Sequence, residues 1–368
     1  MKPIALFRRL TAVVLALLTL ATSLLLSSCG DTAYEQIPST DEEKSTVLTM
    51  GEHNVPYELF RAFFINRKTE VDKGDDSVWT GENAPYYFDK ITPLVLEDIA
   101  AVYAVLDLAE EMDIDPYGEA VEDELNEQIA INVDGGVWNG VNISGCGSYE
   151  AYLSSLAESH MNDGAARLLL RYQICENKLL DLLTTPYTSK YSYTEDDLQF
   201  FFSDDKCQQF VLLYREANTL GLTAEENRTL VDNALVHLRA ANDTQTVVDL
   251  SKQYFHNSID EIKNGTFLTR FALGKQLYGE ILDAAFSLEV GEFSHPISVS
   301  TATQDFLYVI HRVEKDKNAY ATRAEEIEEL YLCDRFYTDV ATKEATLLQN
   351  VTYTDFYRSL IGKSIVYP

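Results

Sequence analysis

Positive charge is scarce in this sequence: 29 Lys and Arg stand against 59 Asp and Glu in 368 residues, a formal net charge of -30. A surface of that sign repels nucleic-acid phosphates and anionic headgroups, which sets nucleic-acid binding aside. Cysteine is also sparse. Cys29, Cys146, Cys175, Cys207 and Cys333 are far apart and lack CxxC or Cys/His metal spacing. Cys175 falls among helical apolar positions, so the later four read as buried thiols before they read as a disulfide framework. His53, His160, His237, His256, His295 and His311 are scattered without metal spacing. They read as solvent-facing, with His256 and His311 the pair a fold could bring together. No metal or cofactor is expected. The Gly-rich stretch from Asp134 to Gly147 reads as a loop and lacks the Gly-Lys-Ser/Thr of a phosphate cradle. A Gly-x-Ser-x-Gly nucleophile elbow is missing as well. Asp72-Lys73-Gly74-Asp75-Asp76 lacks the alternating acids and closing Glu of a calcium loop and reads as a solvated turn.

What is present begins at the N-terminus. Lys2, Arg8 and Arg9 precede an apolar run from Leu10 to Leu26. That is the charged and hydrophobic pair of an export signal, a little short for a spanning helix. It ends in Leu26-Ser27-Ser28-Cys29-Gly30, which resembles the bacterial lipobox. The resemblance implies lipidation of Cys29, cleavage before it, and a chain tethered to the outer face of a cell membrane. Each buried CH₂ of such lipid contributes ~0.8 kcal/mol, so two or three chains hold firmly. Residues 30–45 are polar and read as a flexible linker. No later run is apolar enough to span a bilayer.

Residues 46–192 read as a helical domain. Val47 to Met50 suggests a strand before a Gly51 turn, and Tyr57 to Phe64 carries helical spacing. Helices are expected over Val95 to Met112, from about Pro116 to Ile131, over Tyr149 to Ala157, and over Asn162 to Leu183. The Gly51 turn, the tail Ala109-Glu110-Glu111-Met112-Asp113-Ile114 and the Tyr149-x-x-Tyr152-Leu153 helix carry a resemblance. They are similar to the N-terminal chaperone domain of the SurA/PrsA-like extracytoplasmic foldases.

From Tyr193 the pattern changes. Gln208 to Tyr214 is an apolar run suited to a central strand. Thr223 and Glu226 frame a capping box, Val247 to Phe255 and Leu277 to Leu288 read as helices, and Phe306 to Val313 as a strand. Between them lies Asp283-Ala284-Ala285-Phe286-Ser287-Leu288-Glu289-Val290-Gly291-Glu292-Phe293-Ser294-His295-Pro296. With its Ala-Phe-x-Leu step, Gly-Glu-x-Ser turn and strand-opening Pro, this stretch resembles the signature of the parvulin-type peptidyl-prolyl isomerases. The resemblance implies an α+β chain: a helical chaperone domain (46–192), a parvulin-like α/β domain (193–318) and a C-terminal segment (319–368). In that segment Thr322 to about Gln349 reads as a helix with Thr322 and Glu325 at capping-box spacing. The family arrangement packs it on the helical domain.

An X-Pro bond isomerises over a barrier of ~18–20 kcal/mol because the twisting amide loses resonance. Catalysis needs an apolar pocket for the ring and polar groups that favour the twisted form. Parvulins typically place two histidines beneath that pocket. Carried over residue by residue, those positions hold Val211 and Val309; His311 is two residues on from the second. The ring-gripping positions hold Leu277 and Ile281, and the acid or thiol position holds Asn257. With Phe286 of the signature they form the implied substrate-binding set. The apolar pocket is retained in kind and the histidine pair is not. The expected function is a membrane-anchored foldase or chaperone for unfolded and newly exported polypeptides, with isomerase catalysis weak or lost. The alternative is a non-catalytic interaction lipoprotein docking one specific partner.

Overall fold

The computed structural model describes residues 34–138, 141–183, 191–204, 206–216, 222–241, 243–270, 275–300 and 305–367. They form an α+β chain of two units, one drawn from residues up to 183 and from 337 onward, the other from 191 to 336. No described helix is long and apolar enough to cross a membrane.

The first unit opens on β1 (Thr46–Met50) and β2 (His53–Pro56), an antiparallel pair. Helix α1 (Tyr57–Asp72) follows directly and buries Phe60, Phe63 and Phe64. The acidic turn after it is less solvated than its composition suggests. Asp72 accepts hydrogen bonds from the Trp79 indole (2.7 Å) and the Gly74 amide (2.7 Å), and Trp79 is fully buried. Helix α2 (Ala84–Glu111) starts well before Val95 and contains Pro93. An interior proline costs ~3 kcal/mol, yet burial of Phe88, Ile91 and Val95 on one stripe outweighs it. Helix α3 (Glu119–Asp134) is displaced by a turn over Pro116 to Gly118, so it begins and ends three residues later than the pattern suggests.

The Gly-rich stretch is a hairpin rather than an open loop, with β3 (Gly136–Trp138) paired to β4 (Val141–Ile143). Its base is fastened to the end of α3 by the Cys146 and Gly147 amides, which donate to the Asn132 (2.9 Å) and Val133 (2.7 Å) carbonyls. A Cβ on Gly145 would lie 2.1 Å from the Gly135 nitrogen, so only glycine permits this closure. Helices α4 (Tyr149–Glu158), capped by Ser148, and α5 (Asp163–Leu183) complete this part.

Within the 30–45 linker, the described residues are held rather than free. The Arg167 guanidinium donates to the Tyr34 carbonyl (2.6 Å), Tyr149 Oη to the Glu35 carbonyl (3.1 Å), and the Ile37 amide to Asp163 (3.0 Å). Tyr34 Oη reaches both oxygens of Asp134, at 3.0 and 2.9 Å. A polar composition allowed flexibility; a buried Arg167–Asp163 pair (3.0 Å) supplies the partners that remove it.

The second unit begins with α6 (Glu195–Ser203), whose first turn is closed by a Thr194/Asp197 capping box. Strand β5 (Gln208–Glu216) is followed by α7 (Ala224–Ala240), opened by the Thr223/Glu226 box, and α8 (Thr244–Tyr254), capped by Asp243. A short helix α9 (Ile259–Asn264) and strand β6 (Thr266–Leu268) come next, then α10 (Lys275–Ser287), β7 (Ile297–Ser300) and β8 (Asp305–Arg312). The strands form one antiparallel sheet in the order β6-β5-β8-β7. The signature stretch staples the end of α10 to β8. Gly291, at φ +90°, donates to the Arg312 carbonyl (2.7 Å), and the Arg312 amide returns a bond to Glu292 (3.0 Å). Ser294 exchanges backbone and hydroxyl bonds with Ile310 (2.8 and 2.9 Å).

Helix α11 (Ala324–Gln349) begins in this unit, and from Tyr337 onward its residues belong to the first. Thr322 does not cap it. Its hydroxyl donates to Ala319 (3.2 Å), closing the preceding 3-10 turn, and Arg323 pairs with Glu326 (2.6 Å) instead. In the first unit, β9 (Val351–Tyr353) joins the free edge of β1, and α12 (Asp355–Leu360) carries Tyr357, whose Oη meets Thr92 Oγ1 at 2.7 Å. Cys146, Cys175, Cys207 and Cys333 are free thiols. Burial pushes the Cys175, Cys207 and Cys333 thiols up to about 12, so they are inert as nucleophiles.

Candidate functional site

Successive residues of β5 point to opposite faces of the sheet, and the two faces meet different surroundings. Val211 and Leu213, with Leu307 and Val309 of β8, lie under α7 and α8. There they pack with Val231, Ala234, Leu235, Leu238, Val248, Phe255 and Phe293. Arg215 is buried on this face, donating to Asn227 Oδ1 (2.9 Å) and the Tyr254 carbonyl (2.8 Å). His311 stands opposite Val211 and stacks on Phe293, with ring centroids 3.9 Å apart and planes 7° apart. Burial pulls its imidazole down to about 4, so it is neutral at physiological pH.

The other face carries Phe210, Leu212 and Tyr214 of β5 beside Phe306, Tyr308 and Ile310 of β8 and Ile297 and Val299 of β7. Ile281, Leu282, Ala285 and Phe286 of α10 cover one end of it, over Phe210 and Ile310. Phe286 meets Phe210 edge-on at 5.5 Å, with the Arg270 guanidinium 5.0 Å above its ring. Beyond this cover the face is only half-buried, at Leu212, Tyr214, Phe306 and Tyr308. Tyr214 forms the hub of an aromatic group, with ring centroids 6.4 Å from Phe306, 6.3 Å from Tyr308 and 6.1 Å from His256.

The structure does not bring the six implied binding residues into one pocket. Val211 and Val309 are buried on the covered face; Ile281 and Phe286 lie on α10, against the opposite face. Leu277 lies on α10, and its side chain is outside the described residues. Asn257 is committed to the backbone: its Oδ1 accepts from the Tyr214 amide (2.9 Å) and its Nδ2 donates to the Leu212 carbonyl (2.8 Å). Cys29 and the signal region are outside the described residues.

Nor does the structure pair His256 with His311. His256 is exposed beside Tyr214, whereas His311 is on the covered face. His53 is also not free in solvent; it contacts Asp107 (2.7 Å) and stacks on Tyr103. Among the described residues no group of three His, Cys, Asp or Glu could hold a metal ion.

Leu212, Tyr214, Phe306 and Tyr308 were not singled out by the sequence. Period-two alternation put them on one face, but only the position of α10 shows which face is left open. Chemically, this half-open floor is apolar and aromatic. It can bury a prolyl or aliphatic side chain against tyrosine and phenylalanine rings.

No protein-family model matches the chain, and no curated protein matches it. Solved structures do. A foldase protein PrsA from Lactococcus lactis is 15% identical, with 86% of this chain and 97% of that chain covered and a TM-score of 0.23. The foldase protein PrsA of Streptococcus pneumoniae is 13% identical, with 88% and 100% covered and a TM-score of 0.30. A peptidylprolyl isomerase, PrsA, from Bacillus cereus is 14% identical, with 86% and 99% covered and a TM-score of 0.24.

Proposed function

We propose that the chain is an extracytoplasmic foldase or chaperone, tethered to the membrane by lipid on Cys29, that binds unfolded and newly exported polypeptides. The observation that carries this reading is the half-open aromatic face of the α/β sheet bounded by α10. The parvulin-like signature supports it, because that stretch fixes α10 against β8 and so sets how much of the face remains open.

Client segments bind over Leu212, Tyr214, Phe306 and Tyr308, alongside Ile281 and Phe286. The ring of a client proline is held by contact with apolar and aromatic carbon. Val211 and Val309 stand where the family resemblance implies histidines, and neither contributes a hydrogen bond that would favour a twisted amide. The neutral imidazole of His311 is stacked on the covered side. Binding without strong catalysis is therefore the preferred mechanism.

A proline-limited refolding assay, run beside an aggregation assay, tests this. The expected result is suppressed aggregation with little or no acceleration of refolding. Acceleration well above background, lost in Ile281→Ala, would overturn the non-catalytic mechanism. No effect on generic clients, with one dominant species in a pull-down, would replace the chaperone reading with a dedicated docking lipoprotein.

A further inference from the structure

The first unit holds a cavity of about 350 Å³ built from three segments far apart in the chain. Thr40 and Glu42 come from the pinned segment before β1, Tyr57 and Arg61 from the start of α1, and Ser364 and Val366 from the tail after α12. That volume suits a small molecule or the end of a polypeptide. Arg61 is its most constrained member. The residue is only 4% exposed, yet among the described residues its guanidinium makes a single hydrogen bond, from Nη2 to Glu43 Oε1 at 2.9 Å. Its Nε is buried without a partner. The guanidinium carbon lies 5.6 Å from the Tyr57 ring centroid and 4.9 Å from that of Tyr367. A guanidinium carries five N–H donors, and leaving most of them unused in a buried place is costly.

Glu43 is already committed, because its Oε2 accepts from the Thr40 amide (2.8 Å) and hydroxyl (2.9 Å). Glu42 is the reverse case. It is exposed at the cavity, and its carboxylate has no hydrogen bond or ion pair among the described residues. Glu42 and Arg61 act on the same phenol: burial raises the Tyr57 hydroxyl above its ordinary value, Arg61 opposes that rise and Glu42 adds to it. The cavity thus offers unused donors on a cation and an unpaired carboxylate. Its one guanidinium and two carboxylates leave one negative charge over.

That balance selects among ligands. A free carboxylate or phosphate meets the excess charge as repulsion. A lysine side chain satisfies Glu42 and leaves Arg61 as it is. An α-ammonium with its adjoining peptide carbonyl satisfies both and cancels the excess. We propose that this cavity captures the free amino terminus of a polypeptide, with Glu42 on the α-ammonium and Arg61 on the first peptide carbonyl. This rests on the chaperone reading above and names the part of a client that the first unit recognises. Removal of an export signal leaves a mature chain with a new amino terminus, so newly exported polypeptides present the group. Val366, 55% exposed, offers the first side chain an apolar wall.

The test measures fluorescence anisotropy of short uncharged peptides, labelled at the C-terminal end, on the full chain. They contain no proline or aromatic residue, so the aromatic face of the sheet has nothing to hold. The peptide with a free α-amino group should bind, and its N-acetylated twin should bind about tenfold more weakly or worse, the worth of one charge-assisted contact. Glu42→Gln, a change at an exposed position that leaves the fold intact, should cause a similar loss. Equal binding of the acetylated twin overturns the proposal, as does equal binding of an acetylated twin carrying one internal lysine. Undiminished binding to Glu42→Gln also overturns it. If no peptide binds while client aggregation is still suppressed, the inference falls and the chaperone reading stands. If free amino termini bind while clients aggregate unhindered, the chaperone reading falls and the site stands.

Discussion

The two faces of the α/β sheet are made by the same strands, one residue out of step, and they differ in cover. Under α7 and α8, Leu213 and Val309 are sealed from solvent and the one histidine is held neutral against a phenyl ring. Under α10, Phe210 and Ile310 are sealed, while Tyr214, Phe306 and Tyr308 remain half-buried at the uncovered end. Both faces are apolar, so hydrophobicity does not separate them. What separates them is how far a helix reaches across each, and the incompletely covered face is the one on which we propose a client binds. Stability should therefore reside on one face and binding on the other.

Substitutions can break that division, beginning with the most severe. Val309→Asp buries a charge with no partner and should cost more than ~4 kcal/mol. Loss of hydrogen-exchange protection at the β5 and β8 amides would register it. Leu213→Ala, which leaves a cavity in the same cluster, should cost ~2–5 kcal/mol. If either variant stayed as protected as the parent chain, the covered face would not be the stabilising one.

Asn257→Ala should be milder, about 1–3 kcal/mol, because it strands the Tyr214 amide and the Leu212 carbonyl. It acts at the join between the two roles. Client binding should fall along with exchange protection at Tyr214, since the ring hub is carried on that backbone.

His311 gives the comparison a pH axis. Its ordinary value of 6.5 falls to about 4 in the folded chain. Between those values the unfolded chain binds the extra proton, so stability rises with pH across the window and is lost as pH falls through it. Below the folded value no further loss comes from this group. The difference between the parent chain and His311→Gln isolates it from carboxylates that titrate nearby, and a difference that stays flat from pH 4 to 6.5 would contradict its burial. The smallest effect on stability belongs to the open face: Tyr214→Ser or Tyr308→Ser should cost within ~1 kcal/mol while weakening suppression of client aggregation. A large stability loss with unchanged client binding would invert the assignment of the faces.

Much of the fold was legible because local rules pointed the same way. The Thr223 cap, the apolar run of β5 and the Gly291 turn are each decided within a few residues. The failures came where distant residues decide. The box-like spacing of Thr322 and Glu325 was displaced by a 3-10 turn and an Arg323–Glu326 pair. Pro93 sits inside a helix because Phe88 and Ile91 are buried beneath it. The polar 34–37 segment is pinned by Asp163 and Arg167, more than a hundred residues away.

The site was half legible. The sequence by itself determined the apolar character of both sheet faces, the absence of a histidine pair at Val211 and Val309, and a lipobox-like cysteine near the N-terminus. These are matters of residue identity. Which face stays open was decided only by tertiary structure, because a strand presents both faces at the same period and its sequence does not encode where α10 stops. The placement of Tyr34 beside the β3–β4 hairpin has the same origin: two segments far apart in the chain meet because Asp134 and Tyr149 offer a polar and an aromatic partner at one end of a helix.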